Sequence, residues 1–348
     1  MSIIDDLRSE FSPANHFLNT ATVGIPPRRA VEAFHATLDS WADGTQDVVA
    51  FDQDVNRARS AFARLAGAEV EDVGIVGQLS VTAAMVAASL PQGARVLYAE
   101  EEFTSTIFPF LAAAQAGRIR VAGVPFDRLI DSISEQTDLV AVAAVQSADG
   151  RILDLDALAE RAGQTGTRTF IDATQAAGWL PIGASRFDVV GASAYKWLLA
   201  PRGTGYMALS PSARQWVKPL FPGWYSGDDP WSTVYGAPLR LAPGGRGFQA
   251  SPDWLSTPAA AIALELLAGA DLEEIRRHNV ALGNAFCDGV GIPEKNSAIV
   301  SITSDVPEER LLAEGVSAAY RGGRLRLSFH LYNTIADVEA VLKALAGS

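Results

Sequence analysis

Lys196 stands at the end of the strand-like run Val189-Val190-Gly191-Ala192-Ser193 and just before Trp197-Leu198-Leu199, so its amine is bracketed by apolar sequence. A lysine at a strand end is ordinarily solvated; this one is poorly placed for it. The chain has four lysines (Lys196, Lys218, Lys295 and Lys343) against 24 arginines. Where arginine serves for charge, a lysine in an apolar setting does what arginine cannot, which is to act as a neutral amine. Asp172 closes a second apolar run, Thr169-Phe170-Ile171-Asp172, and places a carboxylate at a strand end. Read alone it is a turn or helix cap. Gly77-Gln78-Leu79-Ser80-Val81-Thr82 follows a third run and opens a helix-like segment, where free N–H groups and a hydroxyl form an anion site. Read alone it is a routine helix start.

An amine, an acid and a phosphate cradle together fit pyridoxal 5′-phosphate (PLP). That cofactor needs a lysine for its imine, an acid to keep the pyridine nitrogen protonated, and donors around its phosphate. The charged ring then stabilises negative charge at a substrate Cα.

Such residues must be held by a sheet. Runs 73–76, 95–98, 120–123, 139–145, 169–171, 189–192 and 205–209 read as seven buried strands, with helical patterns at 80–89, 105–116 and 154–162. This alternation predicts an α/β domain with a mainly parallel sheet and helices on both faces. Ligand sites in such sheets lie beyond the strand ends, where Asp172 and Lys196 fall. Residues 211–258 are rich in Pro, Gly and Trp and lack periodicity, the character of a functional or interface loop. Helices at 259–268 and 272–290, strands at 298–303 and 324–329, and a helix at 335–345 then predict a small α+β domain. The expected organisation is 1–15 as a segment packing on the small domain, 16–257 as the large domain and 258–348 as the small one.

The ordered motifs resemble the class V aminotransferases of PLP fold type I, which include cysteine desulfurases and isopenicillin N epimerase-like proteins. Asp172-Ala173-Thr174-Gln175-Ala176-Ala177-Gly178 is similar to that family's D-x-x-Q-x-x-G segment. Ala194-Tyr195-Lys196 with Pro201-Arg202-Gly203-Thr204-Gly205 is similar to its G-H-K…G-P-x-G-x-G segment. Phe17-Leu18-Asn19-Thr20-Ala21, Leu325-Arg326-Leu327-Ser328 and Tyr332-Asn333-Thr334 also fit, so the resemblance covers nearly the whole chain. It implies a Schiff base on Lys196, which also shuttles the Cα proton, and Asp172 at the ring nitrogen. Gln175 would bond the phenolic oxygen, with Gln146 beside it, and Phe103 would stack on the ring. Leu79 (through its N–H), Ser80, Ser193 and Tyr195 would hold the phosphate. Arg326 would bind the substrate carboxylate by a bidentate pair, with Asn19 nearby. The resemblance further implies a homodimer, in which Ser251 of Phe248-Gln249-Ala250-Ser251-Pro252 reaches the neighbouring subunit's phosphate. Aromatic and arginine enrichment through 222–254 suits an interface.

The departures bear on the reaction. The usual histidine before the lysine is Tyr195, and the usual stacking histidine is Phe103; each change removes a proton donor. Persulfide-forming desulfurases carry a cysteine shortly before the carboxylate-binding arginine, and 313–323 holds none. The single cysteine, Cys287, lies in a helical pattern and reads as a buried core residue. The sequence therefore points to a PLP enzyme acting on a small amino acid, with C–S lyase or desulfurase-like elimination without an enzyme persulfide ranked first. An aminotransferase ranks second and a racemase or epimerase third; a catalytically silent PLP-fold binding protein is the alternative of another class.

Composition closes other routes. A net charge of −12 over 348 residues argues against a nucleic-acid partner. No apolar run reaches membrane-spanning length, and neither a signal-peptide pattern nor a cysteine pair is present, so a cytoplasmic location is expected. Four scattered histidines give no zinc spacing. A nucleotide-dependent α/β enzyme lacks its glycine motif.

Overall fold

A computed structural model of the chain describes residues 3–346. Seven strands form the main sheet: β1 (Val73–Val76), β2 (Arg95–Ala99), β3 (Arg120–Val124), β4 (Leu139–Ala143), β5 (Arg168–Asp172), β6 (Val189–Ser193) and β7 (Gly205–Leu209). Their order is β1-β7-β6-β5-β4-β2-β3, and only β7 runs antiparallel to its neighbours. Every residue of β4, β6 and β7 is buried, as a sheet covered on both faces requires, and their largely apolar runs show no alternation for that reason. β3, the edge strand, starts with an exposed arginine and is nowhere fully buried.

Helix α1 (Arg28–Ala42), α2 (Phe51–Ala66), α3 (Leu79–Ser89), α4 (Thr104–Gln115) and α5 (Leu155–Thr165) cover this sheet. The sequence patterns omit α1 and α2, whose polar outer faces dilute the hydrophobic signal; α2 nevertheless buries Val55, Ala58, Phe62 and Leu65 along one stripe. α3 approaches β6 closely because Gly191 has no side chain: a Cβ there would meet Leu79 Cδ1 at 2.9 Å. That contact brings the N-terminus of α3 to the end of β6, beside Lys196.

Helix α6 (Thr257–Ala268) packs on α2 and α1, and Ala260, Ala261, Leu264 and Leu267 join the larger core. The expected boundary at 257/258 thus precedes a helix that shares its core with the first part of the chain. The second core gathers Leu282 and Phe286 of α7 (Leu272–Gly289), the sheet β8 (Ile299–Ile302), β9 (Ala319–Arg321) and β10 (Arg324–Ser328), and α8 (Ile335–Ala346). Leu18 belongs to it too, because His16–Phe17 pairs with Val316–Ser317. In the segment before it, Arg8 Nε donates to the Leu331 carbonyl (3.3 Å) and Phe11 meets Tyr332 edge-on at 5.3 Å. β9 is absent from the sequence-predicted elements; three residues are too few to register as a periodic run.

Candidate active site

The carboxyl ends of β4, β5 and β6, the start of α3 and the start of α4 enclose a cavity of about 200 Å³. Leu79, Ser80, Phe103, Asp172, Gln175, Ser193, Tyr195 and Lys196 all line it. These are residues from 79 to 196 in sequence, brought together because parallel strands end on one side.

Asp172 is buried, and its oxygens are divided between two donors: the Thr106 hydroxyl at 2.7 Å and the Thr174 N–H at 2.7 Å. Burial raises its pKa, against these bonds and the charge of Lys196. Lys196 is 5% exposed; burial lowers its pKa to about 8, Asp172 opposes the shift, and Arg326, Arg321 and Arg202 add to it. A substantial neutral fraction near neutrality is what an amine needs to attack an aldehyde. The Lys196 Nζ lies 5.1 Å from the centre of the Phe103 ring, which is 42% exposed and presents its face at the cavity.

At the opposite end, the Leu79 N–H donates to Ser193 Oγ (3.1 Å), and the Ser193 N–H donates to Thr174 Oγ1 (3.1 Å). Gln78, the N-cap of α3, gives no side-chain cap, so the helix start faces the cavity with donors to offer an anion. The Arg202 guanidinium lies 4.9 Å from the centre of the Tyr195 ring and also lines the cavity.

Gln175 is held on all sides. Its Oε1 accepts from Trp197 Nε1 at 2.7 Å, and its Nε2 donates to Ala21 O and Ser147 Oγ, both at 3.0 Å. Gly178, at φ +105°, lets this segment pass the Trp197 carbonyl, which a Cβ would meet at 2.4 Å.

Four sequence-predicted residues lie elsewhere. Gln146 does not face the cavity, which corrects the expectation for it. Side chains alternate along the extended stretch after β4, so Val145 and Ser147 line the cavity while Gln146 turns away. There its Nε2 donates to Glu102 Oε2 at 2.9 Å. Glu102 also accepts from the N–H groups of Phe103 and Ala143, yet burial, the larger effect, pushes its carboxyl up to about 7. Arg326, buried on β10, reaches the rim: it donates to Ser147 O (2.6 Å) and Oγ (3.1 Å) and to Thr22 Oγ1 (2.8 Å). Its Nε is buried without a partner. Asn19 sits beside β10 through its bridge to Ser328, with Oδ1 buried and unpartnered. Ser251 is exposed and lines a smaller neighbouring cavity that shares Gly77 and Gly203 with the first.

Thr106, Thr174, Ser147 and Arg202 are the site residues that sequence reasoning missed. Thr174 follows Asp172 by two residues, the spacing of a local Asx turn, and was legible on that ground. The others depend on tertiary contact.

A model of the class V aminotransferase family matches residues 18–291. The chain belongs to that family. It is 26% identical to an uncharacterized aminotransferase, YcbU, of Bacillus subtilis (strain 168), over 92% of this chain and 90% of that one. Two solved structures of C-DES share its fold. One is the cystine C–S lyase in complex with its reaction product cysteine persulfide (TM-score 0.86, 20% identity, 96% of this chain and 97% of that one). The other is a mutant with glycine covalently linked to its PLP cofactor (TM-score 0.87, 20% identity, 97% and 98%). The fold is PLP fold type I, and the family is one of PLP enzymes. The cavity fits that cofactor: a buried amine and a buried acid face a space bounded by an open aromatic face and an uncapped helix start. Among the described residues no group of three or more His, Cys, Asp or Glu could hold a metal ion. No described helix is long and apolar enough to cross a membrane.

Proposed function

We propose that the chain is a PLP-dependent lyase that removes a β-substituent, sulfur in the first instance, from a small amino acid without an enzyme persulfide. PLP supplies an electron sink for the substrate's Cα when bound. Lys196 holds it covalently at rest and moves the Cα proton in turnover. Asp172, fixed by Thr106 and Thr174, keeps positive charge on the pyridine nitrogen. Gln175 would offer its Nε2 to the ring's phenolic oxygen, and Phe103 would bound one face. The start of α3, Ser80, Ser193 and Tyr195 take the phosphate. Arg326 takes the substrate's α-carboxylate by exchanging its bonds to Ser147 and Thr22. In the reaction the Cα proton passes to Lys196, and the Cβ–S bond breaks with its electron pair leaving on sulfur. Water then converts the released aminoacrylate to pyruvate and ammonia. Two copies of the chain, each lending Ser251 to the other's phosphate site, form the working unit.

One observation carries the choice of reaction. Cys287, the chain's only cysteine, is fully buried in α7 among Phe286, Val300 and other members of the second core, and burial raises its pKa. A reactive thiol needs exposure and a lowered pKa, so sulfur has no protein acceptor and leaves on the product. The experiment is product analysis after incubation with a panel of amino acids, with and without an added keto acid. Pyruvate, ammonia and sulfide or a thiol formed without keto acid support elimination. An absolute requirement for keto acid, with a new amino acid as product, assigns an aminotransferase, the reading that YcbU favours.

A further inference from the structure

Beside the rim of the cavity lies a second one, lined by Arg151, Lys295, Arg321 and Arg324 together with Glu101 and Asp149. Ser147 lines the first cavity and Ala148 the second, so the two adjoin at this step of the chain. Both acids are taken by Arg151: its Nη2 bonds Glu101 at 3.0 Å and its Nε bonds Asp149 at 2.7 Å. Among the described residues, no acidic group lies within ion-pair distance of Lys295, Arg321 or Arg324.

The small sheet concentrates this charge. β9 and β10 form a hairpin through Gly322-Gly323, both at positive φ, in which Arg321 pairs with Arg324 and Ala319 with Arg326. Residues directly opposite, and residues two apart on one strand, share a face. Arg321, Arg324 and Arg326 therefore project from the same face. Arg321 Nη2 reaches Thr22 Oγ1 at 3.3 Å, the hydroxyl that Arg326 also engages. The charge of Arg321 extends to Arg326 and Lys196, lowering the pKa of both. Like charges placed opposite one another destabilise a hairpin. In a chain with 40 acidic residues and a net charge of −12, three arginines on one face without an acid are explained by an anion that arrives from outside.

We propose that Arg321, with Arg324 and Lys295 behind it, is a second anion subsite that receives an acidic group on the substrate's side chain while Arg326 holds the α-carboxylate. The substrate class is then an amino acid with two acidic groups: a carboxylate, a sulfinate, or the distal carboxylate of a disulfide-linked amino acid. This assignment rests on the reading of Arg326 given above.

Calorimetric titration of the holoenzyme with butyrate, succinate, glutarate and adipate tests it. At least one diacid should bind about tenfold or more tighter than butyrate, since a charge-assisted pair carries such a factor. Arg321→Gln should bring that diacid close to the butyrate affinity, and the cofactor's absorption spectrum reports that the variant is folded and loaded. Turnover should follow: in the parent, kcat/KM for the preferred acidic amino acid exceeds that for its neutral isostere, aspartate over asparagine or cysteine sulfinate over cysteine, and Arg321→Gln narrows the gap about tenfold. Which diacid length and which amino acid respond distinguishes carboxylate from sulfinate and short from disulfide-linked substrates. Equal affinity for butyrate and every diacid in the parent, or unchanged diacid affinity in Arg321→Gln, overturns the second subsite alone. Unchanged binding of both acid classes in Arg326→Gln instead overturns the assignment of Arg326 on which it stands.

Discussion

The indole N–H of Trp197 donates to the side-chain oxygen of Gln175 at 2.7 Å, and this bond fixes which end of the Gln175 amide faces the cavity. With Oε1 committed, Nε2 is the end directed at Ser147 and the cofactor space. Trp197 is itself held from the segment after β10. The buried His330, whose pKa falls to about 4 and which is therefore neutral, donates from Nε2 to the Trp197 carbonyl at 3.0 Å. The residue after the lysine thus ties the amide, the amine and the segment after β10 together.

Trp197→Phe removes that donor and leaves both a cavity and an unpaired amide oxygen. Chemical denaturation should show a loss of roughly 2–4 kcal/mol. The folded fraction should bind cofactor with a shifted absorption band, because the Gln175 amide is free to turn. An unchanged band would mean that the indole does not set the amide's orientation.

Asp172→Asn should keep the fold. The Thr174 N–H still finds an oxygen at this position, and the Thr106 hydroxyl can rotate to accept from the new amide. The amide cannot stabilise a ring-nitrogen cation, so turnover should fall at least about 100-fold, the scale on which aligned electrostatic groups act. Turnover near that of the parent would remove Asp172 from its role.

The lowered pKa of Lys196 sets the pH course of cofactor uptake. Burial disfavours the charged amine, so the neutral form grows as pH rises through about 8. The rate at which apo-protein takes up PLP should rise across that pH and then level off. A rate still climbing above about pH 10, as for an unshifted lysine, would contradict the burial effect.

Cys287→Ser places a hydroxyl in the second core, where no water can reach it, and should cost about 1–3 kcal/mol of stability. Turnover per folded molecule should match the parent's, and no persulfide should form on the parent protein. Loss of activity in well-folded Cys287→Ser, with a persulfide on Cys287, would return the chain to persulfide chemistry.

Much of this site was legible because parallel strands announce both themselves and their ends. Apolar runs closing in Asp172 and preceding Lys196 predicted where a ligand would lie, and the ordered motifs assigned the parts. Gln146 was misplaced because a one-residue choice on an extended segment inverts the facing side, and sequence alone does not fix that parity. Thr106 and Arg202 escaped notice since each acts across a tertiary contact, with Asp172 and Tyr195 respectively. Helices α1 and α2 were missed for a different reason: their polar faces are long, and a large part of their apolar stripes packs on α6, more than 190 residues further on.

The central claim is that Lys196 is the covalent seat of PLP. Borohydride reduction of the purified holoprotein, followed by proteolysis and mass spectrometry, tests it most directly. The phosphopyridoxyl group should be found on the peptide containing Lys196, and Lys196→Ala protein should lose the visible absorption of the bound cofactor. A label on Lys218, Lys295 or Lys343, or an unchanged spectrum in Lys196→Ala, would contradict it.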